Sequence, residues 1–291
     1  MVSGSAPGAM ATAARPMLTE RETALLDGLR SWFAGVGNVV VAFSGGADSA
    51  LVAAVAAEVL GVRSLAVTAV SPSLAGREAE ECRRLATEWS LEWATVVTEE
   101  MENAAYRVND SDRCFHCKSA LMDALGALVE ARDATAVLGV NLDDLEDHRP
   151  GQRAALEAGA RFPLVEVGFA KADVRAVSRH LGLRTWDKPA AACLASRIEH
   201  GRPVTVSLLS RVDRAEELLR SLGLGQLRVR HHGDTARIEI EPGEFPTLLA
   251  VRDIVVEGLG TLGYRYVTLD LAGFRSGSMN PPATTRSPSL P

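Results

Sequence analysis

The chain of 291 residues carries 31 Lys and Arg against 37 Asp and Glu, a formal net charge of −6. It is long enough for one large core or two smaller ones. The acidic balance argues against a partner held through many phosphates, such as tRNA or another nucleic acid, but admits a small phosphorylated substrate held by a few local arginines. No apolar run reaches membrane-spanning length, and four cysteines in a chain of this size argue against a disulfide scaffold and for a reducing cytoplasm.

The first 17 residues are rich in Ala, Gly and Ser and lack the basic start and apolar centre of a signal peptide, so they read as a disordered leader. Thr19-Glu20-Arg21-Glu22 is a capping box that starts a helix running to about residue 35. The apolar run 39–42 predicts a strand, and the Ala/Val/Leu-rich run 50–60 predicts a helix. Further strands are predicted over 64–70, 93–97 and 136–140, with helices over 77–90, 118–132 and 172–181. Strands alternating with helices imply parallel βαβ units in a doubly wound α/β sheet over residues 18–200, with ligands at the carboxyl ends of the strands. Beyond residue 200 the pattern changes. Runs 227–230 and 236–240 flank the turn His231-His232-Gly233-Asp234 and predict an antiparallel hairpin. A helix over 245–259 and a strand over 264–271 complete a smaller α+β domain, residues 201–275. Residues 276–291, rich in Ser, Pro and Thr, are expected to be disordered.

Between the first strand and its helix lies Phe43-Ser44-Gly45-Gly46-Ala47-Asp48-Ser49. Gly45 and Gly46 let the backbone approach an anion, and the helix start offers unpaired N–H groups and a positive dipole end. Ser44 and Ser49 add hydroxyls, and Asp48 is placed to hold a nucleotide's magnesium ion. A plain strand-to-helix turn is the competing reading. No Gly-Lys-Ser/Thr follows, so this is not a Walker A loop, nor is it a GxGxxG fingerprint. The motif is similar to the pyrophosphate-binding loop of the PP-loop ATP pyrophosphatase superfamily, which cleaves ATP to AMP and pyrophosphate. Ala50 stands where that superfamily often has Ser or Thr. Residues 139–151 form a second loop on the same rim, with four acidic residues in five positions. Asn141 is a candidate nucleotide contact, and Asp144 and Asp147 are candidate magnesium ligands. A solvated acidic loop is the alternative.

Two cysteine features carry further chemistry. Arg113-Cys114-Phe115-His116-Cys117-Lys118 is a CxxC expected just before a helix, and Cys193 stands alone far downstream. Without a second CxxC, a closed four-cysteine zinc site cannot form, whereas three thiolates suit a [4Fe–4S] cluster with one open iron. Cys82, in an amphipathic helical pattern, reads as a core residue. Strand alternation puts Arg228 and Arg230 on one face, where guanidinium forks suit a phosphate, although a solvated strand face is equally compatible.

The combination of SGGADS, RCFHCK, NLDDLEDHRPG, ACLASRI, RVRHHGDTARIEIE and YVTLDLAGFRSGSMN resembles the LarE family of ATP-dependent sulfur transferases, over about residues 19–280. That resemblance implies a sheet of the adenine nucleotide alpha hydrolase-like type, ATP and magnesium as cofactors, and adenylation of a carboxylate on a pyridinium dicarboxylate mononucleotide. Sulfur then replaces AMP during nickel-pincer nucleotide (lactate racemase cofactor) synthesis. It implies substrate contacts at Ser196, Arg197, Arg228 and Arg230, with Cys193, Asp48 and Arg197 in the chemistry. In one branch of the family the equivalent of Cys193 gives up its own sulfur and becomes dehydroalanine. In another, three cysteines hold a [4Fe–4S] cluster that carries the sulfide, and the presence of Cys114 and Cys117 with Cys193 resembles that branch. The family also implies a homo-oligomer, and a hexamer is the expectation. A PP-loop tRNA thiolation enzyme, or an iron–sulfur carrier regulated by ATP, are the competing readings.

Overall fold

The computed structural model describes residues 16–145, 150–189 and 192–275. The expected leader through residue 15, the expected disordered tail from residue 276 and Asp147 lie outside the described residues. The first unit comprises α1 (Glu20–Ala34), β1 (Asn38–Ala42), α2 (Ala47–Leu60), β2 (Ser64–Val70), α3 (Gly76–Glu88) and β3 (Trp93–Val97). It continues through α4 (Ala104–Val108), α5 (Arg113–Ala131), β4 (Ala134–Leu138), α6 (Pro150–Glu157), α7 (Pro163–Val167) and α8 (Lys171–Leu181). Its four strands are parallel in the order β3-β2-β1-β4. Strand alternation divides the core. Val39 and Val41 of β1 face α1, α2 and α8, whereas Val40 packs with Met122 and Leu125 of α5 and Ala155 of α6. The sheet is therefore covered on both faces, and each fully buried Val contributes about 1.5–3 kcal/mol.

The second unit comprises α9 (Val206–Ser221), β5 (Leu227–His232), β6 (Thr235–Ile240), α10 (Phe245–Ala250), α11 (Arg252–Thr261) and β7 (Tyr266–Leu269). β5 and β6 pair antiparallel, and β7 adds parallel to β6. A third apolar cluster joins the units: Tyr106 of α4 packs with Leu194, Ala195 and Ile198 and with Leu209 and Val212 of α9. Ile198 also bridges to His231 in β5. Among the described residues no helix is long and apolar enough to cross a membrane.

Several boundaries differ from expectation for local reasons. The Thr19 cap forms as read, with the Thr19 N–H donating to the Glu22 carboxylate at 2.7 Å and Glu22 N donating back at 3.2 Å. α5 begins five residues before the expected 118, because Arg113 is buried and its guanidinium donates to Asn109 Oδ1 and to the Ala195 carbonyl. The CxxC therefore lies within the first turns of the helix, not ahead of it. β4 ends at Leu138, two residues early, because Gly139 must pass close to α2. The expected helix 245–259 breaks at Val251, which leaves the helical region at φ −110° and ψ 16°. His231 belongs to β5 and is buried, so the turn itself is Gly233-Asp234.

Candidate active site

The loop between β1 and α2 is built on strand geometry. The Phe43 N–H donates to the Val67 carbonyl, and the Phe43 carbonyl accepts from the Thr68 hydroxyl, each at 2.8 Å. Gly45 then takes φ +66°, and a Cβ there would stand 3.0 Å from Cys82 Sγ, so glycine meets both demands. Gly46 caps α2 without a side chain, which leaves the first-turn N–H groups to a ligand at the positive end of the helix. Ser49 Oγ accepts from the Ser44 N–H at 3.2 Å and lies 3.1 Å from Ser44 Oγ. Lys188 braces the loop from outside, its Nζ donating to the Gly45 carbonyl at 3.1 Å and to Glu78 Oε2 at 2.8 Å.

The second rim loop meets this one directly. A Cβ at Gly139 would lie 2.6 Å from Ser49 N, so the β4 backbone passes against the start of α2. Asn141, 1% exposed, donates from Nδ2 to Asp48 Oδ1 and to Asp144 Oδ2, both at 2.9 Å. Its Oδ1 accepts from the N–H groups of Asp143 and Asp144. Lys171, the first residue of α8, places Nζ 2.5 Å from Asp48 Oδ2. Asp48, Asn141 and Asp144 thus stand in one network with Lys171.

The thiols gather at the ends of β2 and β3. Cys114 and Cys117 are one turn apart on one face of α5. Cys193 opens the 3-10 turn Leu194–Arg197 and shares an apolar cluster with Cys117, Tyr106 and Leu194. The Leu194 N–H donates to the Ser73 carbonyl at 2.9 Å, which fixes the Cys193 loop to the end of β2. Burial, reinforced by Cys193 and Glu100, pushes the Cys117 thiol up to about 12, so a thiolate there needs a cation beside it. The Lys118 amine is itself pushed below its ordinary value by burial, against the pull of Cys117 and Cys114. Among the described residues no three His, Cys, Asp or Glu side chains converge closely enough to hold a single metal ion. Cys117 and Cys193 share an apolar cluster and Cys114 is exposed one turn away on α5; three thiols are a soft donor set whose chemistry fits iron–sulfur ligation better than it fits a hard cation.

Next to Cys193 stand the arginines. Arg197 Nη1 donates to the carbonyls of Ala192 (2.6 Å) and Cys193 (3.1 Å) and to Ser196 Oγ (3.2 Å), while its Nε pairs with buried Glu216 at 2.8 Å. Arg230, 1% exposed, pairs with Glu239 and donates to the Ser196 carbonyl at 2.9 Å. Arg228 differs. It is 6% exposed, stacks 4.7 Å from the Phe274 ring centroid, and has no hydrogen-bonded carboxylate among the described residues. Burial, then the charges of Arg197 and Arg230, lower its pKa to about 10.

The structure therefore forms two neighbourhoods on one rim: Ser44, Gly45, Gly46, Asp48, Ser49, Asn141 and Asp144 around the start of α2, and Cys193, Ser196, Arg197, Arg228 and Arg230 around the 3-10 turn, with Cys114 and Cys117 beside the latter. Sequence reading missed Lys171, Lys188, Glu216 and Glu239. A lysine at a helix start or in a loop carries no motif, and the two glutamates are identifiable only from the arginines they meet in three dimensions.

A family model described as NAD synthase matches residues 22–123. An uncharacterized protein of Synechocystis sp. is 45% identical over 88% of this chain and 96% of its own length. The pyridinium-3,5-bisthiocarboxylic acid mononucleotide synthase of Lactiplantibacillus plantarum is 40% identical over 83% of this chain and 88% of its own. An uncharacterized protein of Methanocaldococcus jannaschii is 26% identical over 82% of this chain and 91% of its own. At the identity and coverage of the Lactiplantibacillus synthase, the chain belongs to the LarE family of PP-loop enzymes.

Proposed function

We propose that this ATP-dependent enzyme converts a carboxylate of a pyridinium dicarboxylate mononucleotide into a thiocarboxylate, in the assembly of a nickel-pincer nucleotide cofactor. The relative's name supplies the substrate class. The observation that carries the reading is Arg228, a buried guanidinium without a carboxylate partner among the described residues, near the turn that bears Cys193. A cation so placed is a binding site for an anion, and a nucleotide's phosphate offers the fork geometry that Arg prefers.

A carboxylate is a poor acyl donor because oxide leaves badly. Attack of a carboxylate oxygen on the α-phosphorus of ATP forms an acyl-adenylate and expels pyrophosphate. The N–H groups at the start of α2 and the hydroxyls of Ser44 and Ser49 stabilise the charge on that leaving group, with Asp48 and Asp144 the residues to hold magnesium. A sulfur nucleophile then attacks the acyl carbon, the carbon–oxygen bond to AMP breaks, and AMP departs with the electron pair. Arg228 holds the substrate phosphate, and Arg197, fixed by Glu216, orients the Cys193 turn through two carbonyls. Cys114, Cys117 and Cys193 would together hold a [4Fe–4S] cluster, which when bound supplies sulfide from its open iron. Sulfur supplied in this way would leave the Cβ–Sγ bond of each cysteine intact, so Cys193 would survive turnover.

The experiment is direct. Protein reconstituted anaerobically with iron and sulfide is given Mg·ATP and the dicarboxylate mononucleotide. Release of pyrophosphate and AMP that depends on the mononucleotide is expected. Equal release without it would leave an ATPase with no carboxylate to adenylate and overturn the reading.

A further inference from the structure

Asp48 uses both carboxylate oxygens on protein partners. Oδ1 accepts from Asn141 Nδ2 at 2.9 Å and Oδ2 from Lys171 Nζ at 2.5 Å. A magnesium ion arriving with ATP competes for these oxygens, and its charge repels the neighbouring ammonium far more than the neutral amide. Asn141 cannot readily leave, since it is buried and is also bonded to Asp144 and to the backbone of Asp143 and Asp144. Lys171 can. Its side chain is 33% exposed on a flexible stem, and its position is held by its own N–H, which donates to Asp143 Oδ2 at 2.6 Å. The displaced ammonium remains at the mouth of the phosphate loop, where the strongest anion in reach is the pyrophosphate portion of the nucleotide. Lysine suits that place, as a compact point charge with three rotatable donors.

We propose that Lys171 exchanges partners during nucleotide binding: it neutralises Asp48 in the metal-free enzyme and moves onto the pyrophosphate oxygens when magnesium takes Asp48. The proposal rests on the ATP reading of the loop. It makes Lys171 a ligand of the leaving group and a guard on the metal position, so that metal alone binds poorly and metal with nucleotide binds well.

Two titrations on wild type, Lys171→Met and Lys171→Arg test it. The first follows Mn²⁺ alone by electron paramagnetic resonance; the second follows the Mg²⁺ complex of α,β-methylene-ATP by calorimetry. Lys171→Met is expected to bind Mn²⁺ roughly two- to fivefold more tightly than wild type, the worth of a partly exposed ion pair. It should bind the nucleotide complex at least about tenfold more weakly, the loss of one charged hydrogen bond. Lys171→Arg, which keeps the charge, should bind the nucleotide near wild type. Unchanged Mn²⁺ affinity in Lys171→Met would overturn the exchange, and unchanged nucleotide affinity would overturn the phosphate role. Failure of wild type to bind the nucleotide complex at all would instead remove the ATP reading, and the exchange with it.

Discussion

Arg228 and Arg230 occupy alternate positions of one strand yet have different surroundings. Arg230 is paired with Glu239, whereas Arg228 stacks on the Phe274 ring and, among the described residues, has no hydrogen-bonded carboxylate, although the charges of Glu239 and Glu216 reach it. Arg228→Ala should therefore weaken binding of the phosphorylated substrate by about 1.5–3 kcal/mol, with ATP affinity unchanged, in paired calorimetric titrations. Arg230→Ala should act on the fold. It removes one partner of the buried Glu239 carboxylate, which keeps Arg237 at 3.0 Å, at a cost of about 1–3 kcal/mol in denaturant unfolding. A loss of ATP affinity in Arg228→Ala would move the hairpin to the nucleotide site. Period-two alternation made the shared face legible in the sequence, but not which guanidinium lacks a hydrogen-bonded carboxylate among the described residues. That depends on β5–β6 register, which sets Glu239 across from Arg228 while its carboxylate reaches Arg230. Asp48 was legible from its motif alone. Asp48→Asn should abolish pyrophosphate release while circular dichroism stays that of wild type, and normal release in the variant would remove Asp48 from the chemistry.

At the scale of elements, the close crossing of β4 over the first turn of α2 positions the two rim loops against each other. Gly139→Ala would set a methyl 2.6 Å from backbone nitrogen, where nothing flexible can yield. The expected result is a loss of about 1–3 kcal/mol in urea unfolding, because backbone must shift. Stability equal to wild type would mean that the crossing is looser than described. The central strands and the capped first helix were readable because β-branched runs and a capping box are local signals. The start of α5 was not, since it is set by Arg113 reaching Ala195, 82 residues away. α9 has a comparable long-range anchor in Glu216. Burial pushes its pKa up, but Arg197 and Arg220 outweigh that and hold it below the ordinary value. A depressed folded pKa means the stabilisation is complete above the unfolded value of about 4.3 and is lost as pH falls through the lower folded value. Wild type should thus lose stability more steeply than Glu216→Gln below about pH 4, and parallel profiles would contradict that linkage.

Over the whole molecule, a doubly wound nucleotide sheet and a small mixed sheet meet through the cluster of Tyr106, Leu194, Ile198 and Leu209. That junction puts the Cys193 turn between the phosphate loop's sheet and the arginines of β5. The sequence offered the parts separately, because Lys188, Leu194 and Arg197 are close in the chain but touch Gly45, Ser73 and Glu216 only in three dimensions. In the proposed function, this arrangement inserts sulfur into an ATP-activated carboxylate and keeps Cys193 whole. Mass spectrometry of one reaction tests both halves, using anaerobically reconstituted protein with Mg·ATP, sulfide and the pyridinium dicarboxylate mononucleotide. The expected result is a product in which sulfur replaces a carboxylate oxygen, AMP formed in equal amount, and a protein mass unchanged after several turnovers. A product formed once per chain, with Cys193 left as dehydroalanine, or no sulfur-containing product at all, would contradict it.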